Sequence, residues 1–117
     1  MLRVPSHWKH RDGVTPTSRR NAAMNALATD PADGRDTAAW AREVGTSERT
    51  LSRLFVAETG VGFGRWRTRL RVRTALGLLA TGSPVTTVGR HVGYRTASAF
   101  IAAFRREVGV TPSRCFQ

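Results

Sequence analysis

Apolar residues recur along this chain at three- and four-residue spacings, separated by short breaks rich in Gly and Pro. That rhythm predicts an all-α chain of about seven helices. Residues 1–18, with Pro5, Gly13 and Pro16 among mixed polar residues, have no steady period and are expected to form a flexible arm. The Ala-rich stretch Arg19–Thr29 reads as a first helix, broken by Pro31 and Gly34. Asp36 is expected to cap a helix through Val44 that ends at Gly45, and Ser47 to cap one that runs to about Thr59 and stops at Gly60. A longer helix spans about Arg65 to Ala80. Val72, Ala75, Leu76 and Leu79 share one of its faces, and Trp66 and Leu70 lie on another, so it needs two packing partners. Ser83 as cap and Pro84 as first helical residue open the next helix, in which Val85, Val88, Gly89 and Val92 share a face. After a turn at Gly93, Thr96 caps a helix with Phe100, Ala103, Phe104 and Val108 inward and Gly109 at its end. Thr111 and Pro112 open a short final turn.

Part of this pattern occurs twice. Arg42, Val44 and Gly45 recur 48 positions later as Arg90, Val92 and Gly93. Leu51, Phe55, Gly60 and Val61 recur 49 positions later as Phe100, Phe104, Gly109 and Val110. The one-residue difference falls in the turn after the shared glycine, where an insertion costs little. Each copy reads as helix, Gly-containing turn, helix, the layout of a helix-turn-helix. The expected organisation is the arm, then residues 19–117, with a first helix-turn-helix at about 36–60, a linker helix at about 65–80 and a second helix-turn-helix at about 84–109.

Charge then points to a partner. The formal net charge is +11, and 18 of the 19 Lys and Arg residues are Arg. Between Val61 and Arg106 there is no Asp or Glu, while Arg65, Arg67, Arg69, Arg71, Arg73, Arg90, Arg95, Arg105 and Arg106 all lie there. Such a balance implies a polyanion, nucleic acid before an acidic membrane surface, and Arg forks fit phosphates and guanine edges. A GC-rich genome would explain the excess of Arg over Lys, but not the missing acids.

Each second helix spends its apolar stripe on packing and leaves the opposite stripe free. In the first unit that stripe is Arg49, Ser52, Arg53 and Val56; in the second it is Ser98, Ile101, Ala102 and Arg105, the same positions shifted by 49. A helix lying in a major groove presents such a row to base edges. Arg49 and Arg53 suit bidentate contacts to guanine, and Ser47 and Ser52 suit a phosphate or a base. Ile101 and Ala102 suit a thymine methyl or a close backbone approach. Arg95, Thr96, Arg105 and Arg106 suit phosphates, as do Arg65 and Arg67 at the start of the linker helix. The first unit is thus expected to supply more sequence reading and the second more positioning. The plainer alternatives are that these Arg only solubilise a helix face and that Ile101 packs against a partner.

Several motifs in order resemble a known family. They are Gly-Thr-Ser-Glu-Arg-Thr-Leu-Ser-Arg-Leu-Phe (45–55) followed by Glu-Thr-Gly, Arg-Leu-Arg-Val-Arg-Thr-Ala-Leu-Gly-Leu-Leu (69–79), and Val-Gly-Tyr…Ser-Ala-Phe…Phe-Arg-Arg…Gly-Val-Thr-Pro (92–112). Together they resemble the C-terminal DNA-binding domain of AraC/XylS-type bacterial transcription regulators, over about residues 19–117. The resemblance implies two homeodomain-like helix-turn-helix subdomains on adjacent major-groove segments of double-stranded DNA. It places base-facing positions at Arg49, Ser52 and Arg53 in the first recognition helix and puts the second recognition helix at Ala97 to Val108. The family often has a polar or basic residue where this chain has Ala102. Members usually activate transcription through RNA polymerase, which becomes a second expected partner, and some repress. Many carry an effector or dimerisation domain ahead of this part, which residues 1–18 are too short to hold. The chain therefore resembles either small stand-alone members that bind as monomers or a fragment whose missing domain would make it a dimer.

Other classes fit less well. His7, His10 and His91 are the only histidines, with no nucleophile motif, phosphate loop or metal-ligand cluster beside them, so neither catalysis nor a metal or cofactor is expected. The single Cys115 permits no internal disulfide, no apolar run reaches the length of a membrane span, and no secretory signal opens the chain. The expected setting is the cytoplasm, at the nucleoid. A non-specific architectural or RNA-binding protein using the Arg-rich middle helix stays open, as does a truncated competitor that occupies promoters without activating them.

Overall fold

The computed structural model describes the backbone of residues 16–116 and the side chains of residues 20–116. The expected arm up to residue 15, with His7, Trp8, Lys9 and His10, lies outside the described residues. Among those described there are seven helices and no strand: α1 (Pro16–Thr29), α2 (Thr37–Val44), α3 (Glu48–Thr59), α4 (Phe63–Ala80), α5 (Val85–His91), α6 (Ala97–Val108) and α7 (Pro112–Cys115). The fold is all-α. The chain divides into two compact units, Met1–Arg67 and Thr68–Gln117, with the boundary inside α4.

The first unit buries Ala23 and Leu27 of α1, Trp40 and Val44 of α2, Leu51 and Phe55 of α3, and Phe63 of α4. Helix α4 starts two residues earlier than its apolar period indicates. The Gly62 carbonyl accepts from the Trp66 amide at 3.0 Å, which places Phe63 and Gly64 in the first turn. The reason is aromatic packing: Phe55 meets the Phe63 ring edge-on and the Trp66 ring at a tilt, both at 5.2 Å between centroids. Burying Phe63 outweighs the roughly 1 kcal/mol helix penalty of Gly64. Helix α1 likewise begins at Pro16 rather than Arg19.

The second unit has its own core, made by Val72, Ala75 and Leu79 of α4, Val88 of α5, Val92, and Phe100 and Phe104 of α6, with Leu76, Leu78, Val85 and Tyr94 packed against it. Helix α4 closes with a Schellman arrangement. Ser83 N bonds Leu78 O, Gly82 N bonds Leu79 O, and Gly82 takes φ 92. The Ser83 amide thus belongs to the end of α4, and the cap of α5 is Pro84, with no side-chain hydrogen bond, instead of the expected Ser83.

Candidate nucleic-acid interface

Local hydrogen bonding sets each outer helix in the same way. Asp36 caps α2 by accepting from the Ala39 amide at 2.8 Å, and Ser47 caps α3 by accepting from the Thr50 amide at 3.1 Å. Thr96 caps α6 by accepting from the Ala99 amide at 3.1 Å. The turns between the helices match bond for bond. Gly45 N bonds Arg42 O at 3.3 Å and Thr46 N bonds Ala41 O at 2.9 Å; Gly93 N bonds Arg90 O at 3.1 Å and Tyr94 N bonds Gly89 O at 2.9 Å. Thr46 thus corresponds to Tyr94 and Ser47 to Thr96. The inserted residue is Arg95, exposed beside the N-terminus of α6. Gly45 and Gly93 hold φ of 78 and 111, the left-handed region that other residues enter only at a cost.

On α3 the inward stripe is Leu51 and Phe55, both with no exposed surface. The outward stripe has Arg49 and Arg53 exposed, Ser52 half-buried and Val56 at 51% exposure. These residues, with Ser47, Glu48 and Ala57, line a shallow depression along the helix. The salt bridge from Arg20 to Glu58, 3.1 Å, ties the last turn of α3 back to α1, and the Arg20 side chain is only 10% exposed.

On α6 the inward residues are Phe100, Ala103 and Phe104. Ser98, Ala102, Arg105 and Arg106 are exposed and Ile101 is half-buried; with Gly109 and Thr111 they line a second depression. Arg69 Nε lies 3.5 Å from Glu107, joining α4 to α6. Tyr94 sits between the Phe100 ring, 5.7 Å away, and the Arg71 guanidinium, 5.5 Å from its centroid, which fixes the turn ahead of α6.

The candidate phosphate ligands separate into two groups. Arg95, Thr96, Arg105 and Arg106 are exposed beside α6. Arg67, by contrast, donates from Nη1 to the Arg35 carbonyl and lies over the Phe63 ring at 5.1 Å. Its guanidinium is engaged inside the first unit, a bond across 32 residues that no local pattern reveals. Arg65 is exposed at the start of α4. The Ser47 hydroxyl donates to Thr50 Oγ1 at 2.8 Å while it accepts as a cap, so the helix already uses both its functions.

Behind α2 lies a charged clamp that the sequence reading misses. Arg35 grips the Asp33 carboxylate through Nε and Nη2, the shortest contact being 2.7 Å, and donates its own amide to Asp33 at 2.9 Å. The Arg35 guanidinium stacks 3.9 Å from the centroid of buried Trp40. Burial alone would raise the Asp33 carboxyl, but hydrogen bonds and charge from Arg35, with charge from Arg67, outweigh it and hold the group below its ordinary value. Other residues beyond the outer stripes are Glu48 and Ala57 on α3, and Gly109 and Thr111 after α6, which extend the two depressions.

A family model described as a helix-turn-helix domain matches residues 40–117. The chain is 39% identical over 113 residues to the HTH-type transcriptional regulator NimR of Escherichia coli K12, an overlap covering 97% of this chain and 38% of that one. It spans 30% and 38% of the length of two curated relatives that it matches. Among solved structures, a transcriptional regulator of Chromobacterium violaceum with AraC-type DNA-binding domains superposes with a TM-score of 0.74 at 25% identity, over 82% of this chain and 87% of that one. The DNA-binding domain of AdpA, a global transcriptional factor solved in complex with a target DNA, gives 0.77 at 26% identity, over 83% and 88%.

Proposed function

The chain belongs to the AraC-type helix-turn-helix family of transcription regulators, and on that footing we propose that it is a sequence-specific DNA-binding regulator that reads two adjacent major-groove segments of a promoter. The observation that carries this reading is the paired construction of α3 and α6. Each is capped by a hydroxyl residue, follows the same hydrogen-bonded glycine turn, buries one stripe and turns the opposite stripe, exposed or half-buried, outward.

In this reading α3 supplies base contacts through Arg49, Ser52 and Arg53. Their N-terminal position on the helix brings them nearest the base edges, where guanidinium forks match guanine O6 and N7. Ser98, Ile101 and Ala102 take the equivalent place on α6. Arg95, Thr96, Arg105 and Arg106 hold phosphates around it, with Arg65 doing so at the start of α4. Phosphate contacts fix register and orientation, and the two stripes add sequence information. In this reading the regulator acts in the cytoplasm at the nucleoid and activates by contact with RNA polymerase. No described helix is long and apolar enough to cross a membrane.

Competition binding tests the proposal. A labelled promoter duplex selected by the chain is titrated with random-sequence duplex. A specific regulator keeps a preference of about a thousandfold or more for its site. Equal competition by random sequence would replace regulation with general nucleic-acid coating.

A further inference from the structure

Although α3 and α6 are built alike, their outer stripes carry opposite chemistry in opposite halves. At equivalent positions Arg49 is replaced by Ser98, Ser52 by Ile101, Arg53 by Ala102 and Val56 by Arg105. In α3 the guanidinium groups stand in the N-terminal half, and an exposed hydrocarbon follows. In α6 the hydrocarbons stand in the N-terminal half, and the exposed cations Arg105 and Arg106 follow. Resting on the DNA-binding reading above, we propose that the second helix selects its segment by the 5-methyl groups of thymine, with Ile101 and Ala102 as the specificity-determining surface.

Groove chemistry makes this selective rather than permissive. Of the major-groove base edges, only that of thymine carries a methyl group beside its O4 acceptor; guanine, cytosine and adenine present hydrogen-bonding groups without one. A buried polar edge left without a partner loses its water hydrogen bonds and gains nothing. Ile101 and Ala102 offer no partner to any polar edge, so a G·C pair beneath them meets that cost with no methyl contact to offset it. A thymine methyl against them is removed from water on both sides. The half-buried state of Ile101 supports this use, because a partly enclosed side chain has less freedom left to lose on contact. Ala102, small and exposed, lets the helix backbone come close, and Arg105 and Arg106 one turn further on suit the flanking phosphates. The operator is therefore asymmetric in kind, with guanines under α3 and thymine methyls under α6.

The experiment removes only the methyl groups. A duplex selected by the full chain from a random pool is remade with thymines replaced singly by deoxyuridine, and with guanines replaced singly by 7-deazaguanine. One or two thymines should each lose affinity by roughly three- to tenfold on loss of the methyl, the scale of one buried hydrocarbon group. At those positions Ile101→Ala should bind the thymine and deoxyuridine duplexes alike, and Ile101→Val, which preserves packing, should keep part of the discrimination. Guanine positions should lose affinity with 7-deazaguanine in both wild type and Ile101→Ala. Indifference to deoxyuridine at every position, with 7-deazaguanine sensitivity intact, overturns the methyl inference and leaves the regulator reading standing. A methyl penalty that survives Ile101→Ala unchanged overturns the assignment to Ile101. Loss of all sequence preference in the selection would instead overturn the regulator reading itself.

Discussion

A methyl group on Gly89 would lie 2.9 Å from Cβ, Cγ and Cδ2 of Phe100, a contact closer than real Cβ atoms accept. Phe100 has no exposed surface and cannot swing away. At the repeat-equivalent positions of the first unit stand Ala41 and Leu51, also buried. The two units thus solve one packing problem with different volumes: a larger residue on the outer helix goes with a smaller one on its neighbour.

That exchange predicts a rescue. Gly89→Ala should destabilise the second unit by about 1–3 kcal/mol despite alanine's better helix propensity, because overpacking dominates in a dense core. Adding Phe100→Leu, which recreates the pairing of the first unit, should recover much of the loss. Urea unfolding of the single and double variants checks this; strictly additive losses would mean that the close approach is not what constrains Gly89.

The Asp33–Arg35 clamp should leave a signature in acid. The Asp33 carboxyl sits below its ordinary value of 3.8 in the folded chain, so its contribution is fully present above that value and fades as pH falls through the folded one. Asp33→Asn should cost about 1 kcal/mol at neutral pH, the scale of a partly exposed charge-assisted pair. The gap from wild type should close as pH drops below 3.8. Thermal melts across this range check it, and a gap independent of pH would assign the cost to something other than the carboxylate's charge.

On DNA, Arg53→Ala should weaken binding to the preferred site by about 1–3 kcal/mol and relax the preference at one base pair. Binding to a set of single-base site variants reads this directly. If the variant ranks all sites as wild type does, Arg53 is not a base contact.

Arg105→Ala should act differently, lowering affinity for all sequences alike and reducing the salt slope by about one. For wild type, six to ten neutralised phosphates give a log–log slope of about −5 to −9. Titrations at several salt concentrations separate the two arginines, and an unchanged slope would take Arg105 off the backbone.

What could be read in the sequence was what forms locally. The caps Asp36, Ser47 and Thr96 each bond an amide three residues on, and the glycine turns bond within five, so short-range chemistry alone identifies them. The outer stripes of α3 and α6 followed from helical period once the buried stripes were known. The features missed depend on distant residues. Phe63 joins α4 because Phe55 packs against it, and Arg67 donates to the Arg35 carbonyl. The bond from Arg67 Nη1 to the Arg35 carbonyl spans 32 residues, and no local pattern announces it.

Selection of bound duplexes from a random pool addresses the central claim most directly, that the outer stripes of α3 and α6 both read DNA. It should yield a two-part motif without dyad symmetry, its parts about one helical turn, roughly 10 base pairs, apart, and Arg53→Ala and Ile101→Ala should each degrade a different part. Recovery of unenriched sequence, or of one part that both substitutions degrade equally, would contradict the account.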